Sequence, residues 1–563
     1  MRKFLLISFL LAGTLTASAG NGKISSDTKR DSSDAVVEVI VQFKHTPGTA
    51  HAAKVERKGG TVKADLPLVK ALHVVIPADR VEDLANDPEV VYISPDRQLT
   101  PTGTTISFDV PSPAVNAPYA RSLGYDGTAI GVAVIDSGTQ DAADLQDASK
   151  KNRIVFKQSY ITGTTGTVDV YGHGVHIAGL IGGNGHSSNG QYEGVAPNVN
   201  VLNFRVLNDN GVGQDSYVIN AIQAAIELKS TYNIRVINLS LGRPVYESYT
   251  VDPLCQAVEQ AWKAGIVVVV AAGNDGRDDS AGTNGYATIS APGNDPYVIT
   301  VGAMKQMGTA TRSDDLIASY SSKGPTAIDH VVKPDIVAPG NRVVSLLGKS
   351  ATHLSHAYPQ NVVNKVYLVL SGTSMAAGVV SGAVADLLQA NSALTPDQVK
   401  AILMASASKA FPLYSSTFDP ATGVTYVSQY DVFTIGAGYL DVQAALAIAF
   451  NPPPSDASMK SPIAAYDASS DNVYFVNDES ALWGTSALWG SSALWGTSAL
   501  WGTSLFVGSQ SALWGTSALW GNSAIWGSNT DTGFSAVWGG SALWGATFGD
   551  ATESLNLTGD GEN

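Results

Sequence analysis

Residues 370–378 read Leu-Ser-Gly-Thr-Ser-Met-Ala-Ala-Gly, and apolar residues at helical spacing follow them up to Leu388. Small residues crowd this turn, so the pattern predicts a tight loop that delivers Ser374 to the first turn of a helix. A serine there lies beside backbone N–H groups that lack a helical acceptor, and near the positive end of the helix dipole. Two interpretations stay open at this point: a helix-capping serine, and a nucleophile with an oxyanion held nearby.

Upstream of this turn the chain alternates apolar strands with helical stretches. The predicted strands cover 129–135, 201–207, 236–241 and 266–272. The predicted helices cover 217–229 and 253–264. Such alternation is typical of βαβ units and a parallel sheet, so we expect an α/β fold in which function collects at the carboxyl ends of the strands.

Polar residues stand at the ends of these predicted elements. Asp136 follows the first strand, the turn at 240–242 follows a later one, and Asn274 follows another. His173 is flanked by glycines and opens a helical stretch, with His176 one turn further on. A metal site built on the two histidines is disfavoured, because no glutamate or third ligand stands at the spacing used by zinc peptidases.

Acyl transfer needs a nucleophile, a base, a carboxylate that orients the base, and a donor for the oxyanion. The chain offers one residue for each role: Ser374 as nucleophile, His173 as base, Asp136 as the orienting carboxylate and Asn274 as the oxyanion donor. The constellation therefore favours nucleophilic catalysis over a capping role for Ser374.

The sequence resembles the subtilisin-like serine peptidases over roughly residues 115–450, and the chain order Asp, His, Ser is the order that the subtilisin arrangement uses. The matching motifs occupy 134–138, 172–179, 194–197, 240–242, 271–274, 333–340 and 372–377. The resemblance implies an α/β, subtilisin-like three-layer domain with a mainly parallel sheet. It also implies a serine endopeptidase that works through an acyl-enzyme intermediate.

The resemblance assigns roles to individual residues. It implies a catalytic triad of Asp136, His173 and Ser374, with Asn274 in the oxyanion hole. It implies that the substrate is lined by Ser240, Leu241, Gly242, Ala272 and Gly273.

The chain leaves the family pattern at two places, where Gly378 replaces a proline after the serine motif and Val175 replaces a threonine in the histidine motif. A related acidic-pH group uses a glutamate for the histidine and an aspartate for the oxyanion asparagine. His173 and Asn274 therefore favour the neutral-to-alkaline subtilisin type.

The first residues have the pattern of a secretory signal peptide, predicted over 1–19. Arg2 and Lys3 precede an apolar run at 4–15, and small residues follow at 17–19. That run is too short to span a membrane, so the sequence predicts a secreted or cell-surface protein with no transmembrane segment. Cys255 is the only cysteine, which excludes an internal disulfide, and its helical context predicts a small buried apolar residue.

Residues 20–104 are predicted to form a propeptide, with a small α+β unit at about 35–99. Strand patterns occur at 36–43, 71–76 and 90–93, and helical patterns at 50–58 and 78–86. The resemblance implies that this unit inhibits the enzyme intramolecularly and is cut off autocatalytically; a free-standing binding domain is the alternative. Residues 100–112 have the composition of an exposed, cleavable joint before the predicted catalytic domain at 105–450.

Beyond the catalytic domain the sequence predicts a linker at 451–479, Ser-Ala-Leu-Trp-Gly-Thr repeats at 480–548, and a tail at 549–563. A six-residue step would place every repeat tryptophan on one side of an extended strand. An ordered β structure that binds a cell-wall or surface partner and a low-complexity tail both remain open.

Charge and composition bound the partners and cofactors. The formal net charge of −15 argues against nucleic acid as a partner, so protein or peptide substrates are expected. No cofactor is expected for catalysis. The resemblance implies structural calcium, whose site the sequence does not locate, although Asn184, Asn189 and the cluster Asp141, Asp144 and Asp147 offer oxygens. A surface-binding or adhesion protein with a catalytically silent protease scaffold is the alternative function.

Overall fold

The computed structural model describes residues 22–25, 27–28, 36–99, 109–309, 311–412, 414–419, 422–454, 458–467, 472–476 and 562. The predicted signal peptide at 1–19 and the repeats at 480–548 lie outside the described residues. The chain divides into two compact units. The first unit ends at Pro95 and leaves out residues 66–69, which belong with residues from Asp96 onward to the second unit.

The first unit is a four-stranded sheet with two helices. Its elements are β1 (Val36–Phe43), α1 (Thr49–Arg57), β2 (Thr61–Leu66), β3 (Ala71–Pro77), α2 (Val81–Ala85) and β4 (Val90–Pro95). The strand order is β2-β3-β1-β4, and β1 runs antiparallel to both β3 and β4. The predicted strands and first helix are confirmed, whereas the helix predicted at 78–86 is divided into a 3₁₀ segment, Ala78–Arg80, and α2. Alternate residues of β1, among them Val39 and Val41, belong to its core.

The second unit contains the remaining elements. Its strands are β5 (Gln98–Leu99), β6 (Gly131–Asp136), β7 (Ile154–Ser159), β8 (Asn200–Arg205), β9 (Gly213–Gln214), β10 (Ile234–Leu239), β11 (Val267–Ala271), β12 (Ile299–Lys305), β13 (Leu316–Ile317), β14 (Ile336–Pro339), β15 (Val343–Leu346), β16 (Val362–Val363), β17 (Tyr367–Leu370), β18 (Tyr414–Asp419), β19 (Val424–Gln429), β20 (Ile463–Asp467) and β21 (Asn472–Val476). Its helices are α3 (Pro111–Ala114), α4 (Ala117–Ser122), α5 (Gly174–Gly182), α6 (Asp215–Glu227), α7 (Lys229–Tyr232), α8 (Pro253–Lys263), α9 (His353–Ala357), α10 (Thr373–Ala390), α11 (Pro396–Ser406), α12 (Val432–Ile435) and α13 (Val442–Ala449).

A mainly parallel sheet organises this unit. The strands β7-β8-β6-β10-β11-β12 lie in that order and pair in parallel, with β14 also parallel to β12 and β13 antiparallel to it. The predicted α/β fold is therefore confirmed. Every residue of β6 and β11 is buried, which explains their continuous apolar runs. Strand β7 escaped the sequence analysis because it is an edge strand in which only Ile154 is buried.

Helix α10 passes through the centre of the unit. It is buried from Thr373 to Leu388 and packs against α5 and against β10, β11 and β12. Alanine, glycine and serine dominate the helix, and these small side chains let neighbouring elements approach it closely. Ser374 therefore occupies a fixed place at the carboxyl edge of the sheet.

Two further predictions can be compared with the structure. Cys255 is a free thiol buried in α8, as expected, and burial raises its pKa well above the usual value. The stretch predicted as a linker contains the hairpin β20–β21, and Ser461 before it hydrogen-bonds to Asp335 and receives a hydrogen bond from Lys400. Of the helices in the described ranges, none combines the length and apolarity needed to cross a bilayer.

Candidate active site

Asp136 and His173 form the core of the site. Asp136 is the last residue of β6, and His173 caps the start of α5. His173 Nδ1 lies 2.8 Å and 3.0 Å from the two carboxylate oxygens of Asp136, and both side chains are fully buried. This contact fixes the imidazole so that Nε2 faces away from the carboxylate. Nε2 has no hydrogen-bond partner among the described residues and is therefore available to accept a proton.

The glycines around His173 have a steric reason. A Cβ on Gly174 would lie 2.2 Å from the carbonyl oxygen of Gly138, and one on Gly172 would lie 2.3 Å from Thr352 Oγ1. Gly172 also has a φ of +108°, which side-chain-bearing residues rarely adopt. Gly174 thus allows the histidine loop to approach the aspartate loop, and Gly172 allows it to approach Thr352.

Asp169 joins these two loops, and sequence reasoning missed it. Its carboxylate accepts hydrogen bonds from the backbone N–H groups of Gly172 and Val175, at 2.7 Å and 2.8 Å, and from Ser137 Oγ at 3.0 Å. Ser137 Oγ in turn accepts from Gly174 N–H at 2.9 Å. Burial raises the pKa of Asp169 to about 6, despite these donors. An isolated aspartate in a polar loop has no sequence signature, so only the folded structure assigns it this positioning role.

Ser374 lies in the first turn of α10, as predicted, and it is buried. Its Oγ donates to the carbonyl of Ser240 at 3.1 Å, and Ser240 Oγ donates to the carbonyl of Ser374 at 2.8 Å. The serine turn and the turn after β10 are thus held together by two reciprocal hydrogen bonds. Helix α5, which begins after His173, packs directly against α10.

Asn274 faces the same turn and is oriented by Thr373. Its Oδ1 accepts from the backbone N–H and the Oγ1 of Thr373, both at 3.0 Å. Thr373 Oγ1 also accepts from Gly273 N–H at 3.1 Å. Because Oδ1 is occupied, the amide nitrogen is the free end of the side chain; it is buried and has no hydrogen-bond partner among the described residues. A buried N–H donor next to the Ser374 turn can stabilise a developing oxyanion.

The residues predicted to line the substrate come from two neighbouring segments. Ser240, Leu241 and Gly242 follow β10, while Ala272 and Gly273 follow β11. A third segment joins them: both N–H and Oγ of Ser290 donate to the carbonyl of Ala272, and Ala291 exchanges two backbone hydrogen bonds with Arg243. The sequence did not reveal this bracing segment, because backbone contacts carry no residue signature.

His176 does not take part in a metal site. Its Nε2 lies 3.1 Å and 3.0 Å from the backbone carbonyls of Val343 and Leu368, in a fully buried position. Burial, assisted by His173, lowers the pKa of His176 to about 3. The ring is therefore a neutral, structural hydrogen-bond donor that fastens α5 to β15 and β17.

The carboxylates considered for calcium have protein partners. Asp144 is buried and accepts from Ser187 N–H at 2.9 Å and from Tyr367 hydroxyl at 2.6 Å. Asp141 binds Lys157 Nζ on the surface, and Asp147 accepts from backbone N–H groups of its own loop. Both carboxylate oxygens of Asp144 are thus engaged by protein donors, whereas Asp141 and Asp147 each accept hydrogen bonds through Oδ1.

Comparison with known proteins identifies the family of this chain. The model of the subtilase family matches residues 127–430. This range includes Asp136, His173, Asn274 and Ser374. The chain belongs to the subtilase family. Its mainly parallel α/β sheet with flanking helices is thus the fold of a subtilase.

The subtilase is similar to several characterised peptidases. It is 39% identical over 282 residues to serine protease AprX from Bacillus subtilis (strain 168), which covers 49% of this chain and 61% of that protein. It is 31% identical over 447 residues to subtilisin E of the same strain, which covers 79% of this chain and 99% of that protein. These relatives place the subtilase in the class of subtilisin-like serine endopeptidases.

The fold also matches a solved structure. Fervidolysin from Fervidobacterium pennivorans, a keratinolytic enzyme related to subtilisin, superposes with a TM-score of 0.55 at 22% identity. The match covers 80% of this chain and 66% of fervidolysin. It shows a shared fold. The subtilase spans less than two thirds of the length of either AprX or fervidolysin.

Proposed function

We propose that this subtilase is a secreted serine endopeptidase that hydrolyses peptide bonds through Asp136, His173 and Ser374, with Asn274 as oxyanion donor. The observation that carries the proposal is the contact of His173 Nδ1 with both carboxylate oxygens of Asp136, at 2.8 Å and 3.0 Å. It leaves Nε2 as the proton-accepting atom of a buried imidazole. Secretion rests on the signal-peptide pattern at 1–19.

We propose the following reaction for these residues. His173 Nε2 takes the proton from Ser374 Oγ as that oxygen attacks the scissile carbonyl, and the Asp136 carboxylate stabilises the imidazolium that forms. The carbonyl oxygen becomes an oxyanion, held by Asn274 Nδ2 and by the backbone N–H of Ser374 in the first turn of α10. His173 then protonates the leaving amine, and water hydrolyses the acyl-enzyme by the reverse sequence.

Production as an autoprocessed zymogen belongs to the same proposal. Gln98 and Leu99, near the end of the predicted propeptide, pair antiparallel with Gln214 and Gly213 of the second unit. An extended segment added to a short strand edge is the way in which many proteins hold a peptide. The pairing supports a segment that first occupies the enzyme and is then cut within the predicted joint.

Turnover of one peptide substrate by two variants tests the assignment. Ser374→Ala removes the nucleophile and should abolish turnover, while Asn274→Ala should lower kcat by about 10²–10³-fold, a magnitude measured in subtilisin, a relative. Asn198→Ala is a matched control, because Asn198 is exposed and bonds to Asp126 on the surface. Near-normal turnover by either active-site variant would refute the assignment.

The alternative is a surface-binding or adhesion protein whose protease scaffold is catalytically silent. It draws on the tryptophan repeats at 480–548, for which we propose a cell-wall or surface partner. A full chain that binds a cell-wall polymer yet turns over no peptide would favour this alternative. A full chain that both binds the polymer and hydrolyses peptides would be an enzyme with an attached binding region.

A further inference from the structure

Arg97 is bound by Glu247 and Tyr246 in the second unit, which together form what we call the Glu247–Tyr246 site. Its guanidinium forms two parallel hydrogen bonds, from Nη1 to Oε1 and from Nη2 to Oε2 of Glu247, each 2.7 Å long. The side chains of Arg97 and Glu247 are 5% and 2% exposed. The Arg97 Cζ atom also lies 5.0 Å from the ring centre of Tyr246. A bidentate ion pair with a cation–π contact is a site for one particular cationic side chain.

The backbone around Arg97 has the form of a bound extended peptide. Its carbonyl accepts from Asp215 N–H at 3.0 Å, and the next two residues pair with β9. Before it, the Asp96 carboxylate accepts from Ser216 N–H at 2.9 Å and from Ser216 Oγ. The contacts therefore run along four consecutive residues, 96–99, on one edge of the second unit.

This edge is connected to the catalytic residues. A Cβ on Gly213 would lie 2.7 Å from the carbonyl oxygen of Val206, so β9 packs tightly on that strand end. The N–H of Val206 donates to the carbonyl of Asp136 at 2.8 Å. Glu247 itself lies five residues after Gly242, in the segment that begins with the predicted substrate-lining turn.

A buried charge network stabilises the segment that carries the Glu247–Tyr246 site. Arg243 binds Asp215 at the start of α6, 3.0 Å away, and Asp252 at the N-cap of α8, 2.8 Å away. Burial lowers the pKa of Arg243, but the two carboxylates outweigh it, so the net shift is upward and the guanidinium stays charged. The network ties the segment that leads to Glu247 to the same helix whose first residue bonds to the Arg97 carbonyl.

We propose that Glu247 and Tyr246 form a substrate subsite that selects an arginine, two residues before the residue that pairs with Gly213. Arg97 fills this subsite only until the chain is cut in the predicted joint after Leu99. Once residues 96–99 leave, the Glu247 carboxylate has lost both of its hydrogen bonds, and an arginine on an incoming protein chain restores them. The inference rests on the proposed peptidase function and names a substrate class for it: extended peptides with a basic residue distant from the scissile bond.

Arginine is favoured over lysine by geometry. The carboxylate accepts two parallel hydrogen bonds, which a planar guanidinium supplies and a single ammonium does not. Stacking over Tyr246 also suits the flat guanidinium. A glutamate at the substrate position of Arg97 would bring its carboxylate against that of Glu247 and should be the least tolerated residue.

Quenched fluorescent peptides with the sequence of residues 96–106 test the subsite, cleaved by the mature wild-type enzyme. The set keeps Arg97 or replaces it with lysine, alanine or glutamate, so no enzyme variant has to fold. We expect kcat/KM to fall about tenfold or more from arginine to alanine, and further to glutamate, with lysine between arginine and alanine. Equal kcat/KM values for all four peptides would overturn the inference while leaving the peptidase proposal intact.

Enzyme variants test whether the preference for arginine arises from the Glu247–Tyr246 site. Glu247→Gln should reduce the arginine-to-alanine ratio to below about threefold, because the neutral amide accepts only one of the two hydrogen bonds. Glu227→Gln is the matched control, since it removes an equal charge from an exposed position on α6 and should keep the full ratio. A ratio unchanged in Glu247→Gln would also overturn the inference. The proposed function on which the inference rests would instead be refuted if no peptide were cleaved and a serine-directed fluorophosphonate probe did not label Ser374.

Discussion

His173 at the N-cap of α5 and His176 in its first turn are three residues apart, and the same residue type has different partners in the two places. Each ring has one nitrogen without a hydrogen-bond partner among the described residues. The difference lies in the group bound to the other nitrogen. For His173 that group is the Asp136 carboxylate, and for His176 it is a pair of backbone carbonyls.

The comparison teaches what makes a buried histidine a base. An imidazole that takes a proton becomes a cation, and burial penalises that charge. The Asp136 carboxylate lies against the His173 ring, whereas the two carbonyl dipoles beside His176 do not prevent its pKa from falling to about 3. Helix α5 packs against the serine helix α10, but of the two histidines His173 alone has a carboxylate from the described part of the chain beside it.

The largest expected difference between the two histidines is in turnover. His173→Ala removes the base and should lower kcat by about a millionfold, the size of the effect measured in a subtilisin, which is a relative. His176→Gln keeps an N–H donor near the two carbonyls and should keep turnover orders of magnitude above that level. Steady-state hydrolysis of one peptide measures both. Similar losses in the two variants would contradict the division of roles.

The second difference is in the pH dependence of stability. The pKa of His176 is lowered to about 3 in the folded chain, against an ordinary value near 6.5. Protonation therefore favours the unfolded chain, and the contribution of His176 is fully present above pH 6.5 and is lost as pH falls toward 3. The free energy of unfolding should decrease by up to about 1.4 kcal/mol per pH unit in this window.

Denaturant unfolding in a Ser374→Ala background, which prevents self-digestion, measures this slope. His176→Gln should flatten it, since glutamine does not titrate. His186→Gln, at an exposed position, should leave it unchanged. A slope that is the same with and without His176 would show that its protonation does not contribute.

A smaller effect is expected from Asp169, which holds the His173 loop to the Asp136 loop. In Asp169→Asn, the new amide group has to face an N–H donor, so the loops should separate slightly and kcat should fall by about 10–100-fold with little change in KM. Asp141→Asn is the control, because Asp141 binds Lys157 and Asn152 on the surface. An unchanged kcat in Asp169→Asn would mean that His173 is positioned without it.

The smallest expected effect concerns Gly378, on the side of α10 that faces α5. A Cβ there would be 3.5 Å from Leu180 and 3.6 Å from Ile177, which is ordinary van der Waals contact. Gly378→Ala should therefore raise the free energy of unfolding by about 0.5–1 kcal/mol through reduced freedom of the unfolded chain. Gly382→Ala, one turn later, should instead destabilise by about 1–3 kcal/mol, because its Cβ would lie 2.6 Å from Val195. Thermal unfolding distinguishes these outcomes, and destabilisation by both would contradict the account of Gly378.

Much of the fold could be predicted because its buried strands have unbroken apolar runs. Strands β6 and β11 are such runs; β6 ends at Asp136, and Asn274 lies three residues after the end of β11. Strand β7 was missed since an edge strand exposes most of its residues and loses this pattern. Small residues around Ser374 were equally informative, because only a tight turn into a helix needs them.

The supporting residues of the site could not be predicted. Asp169 acts through backbone N–H groups, which every sequence offers, so nothing in the sequence distinguishes it from other loop aspartates. Arg97 and Glu247 are 150 positions apart, and only folding brings their charges together. Sequence patterns thus reveal residues whose local surroundings are unusual, and they miss those whose partners are distant.

Labelling with a fluorophosphonate probe tests the central claim most directly. A serine activated by His173 attacks the phosphorus, His173 takes its proton, the P–F bond breaks with loss of fluoride, and the phosphonyl group stays on Oγ as a covalent adduct. We predict one adduct per mature chain, located on Ser374 by peptide mass spectrometry, and no adduct in His173→Ala. Correctly matured chain that does not label, or that labels at another serine, would contradict the claim that Asp136 and His173 activate Ser374.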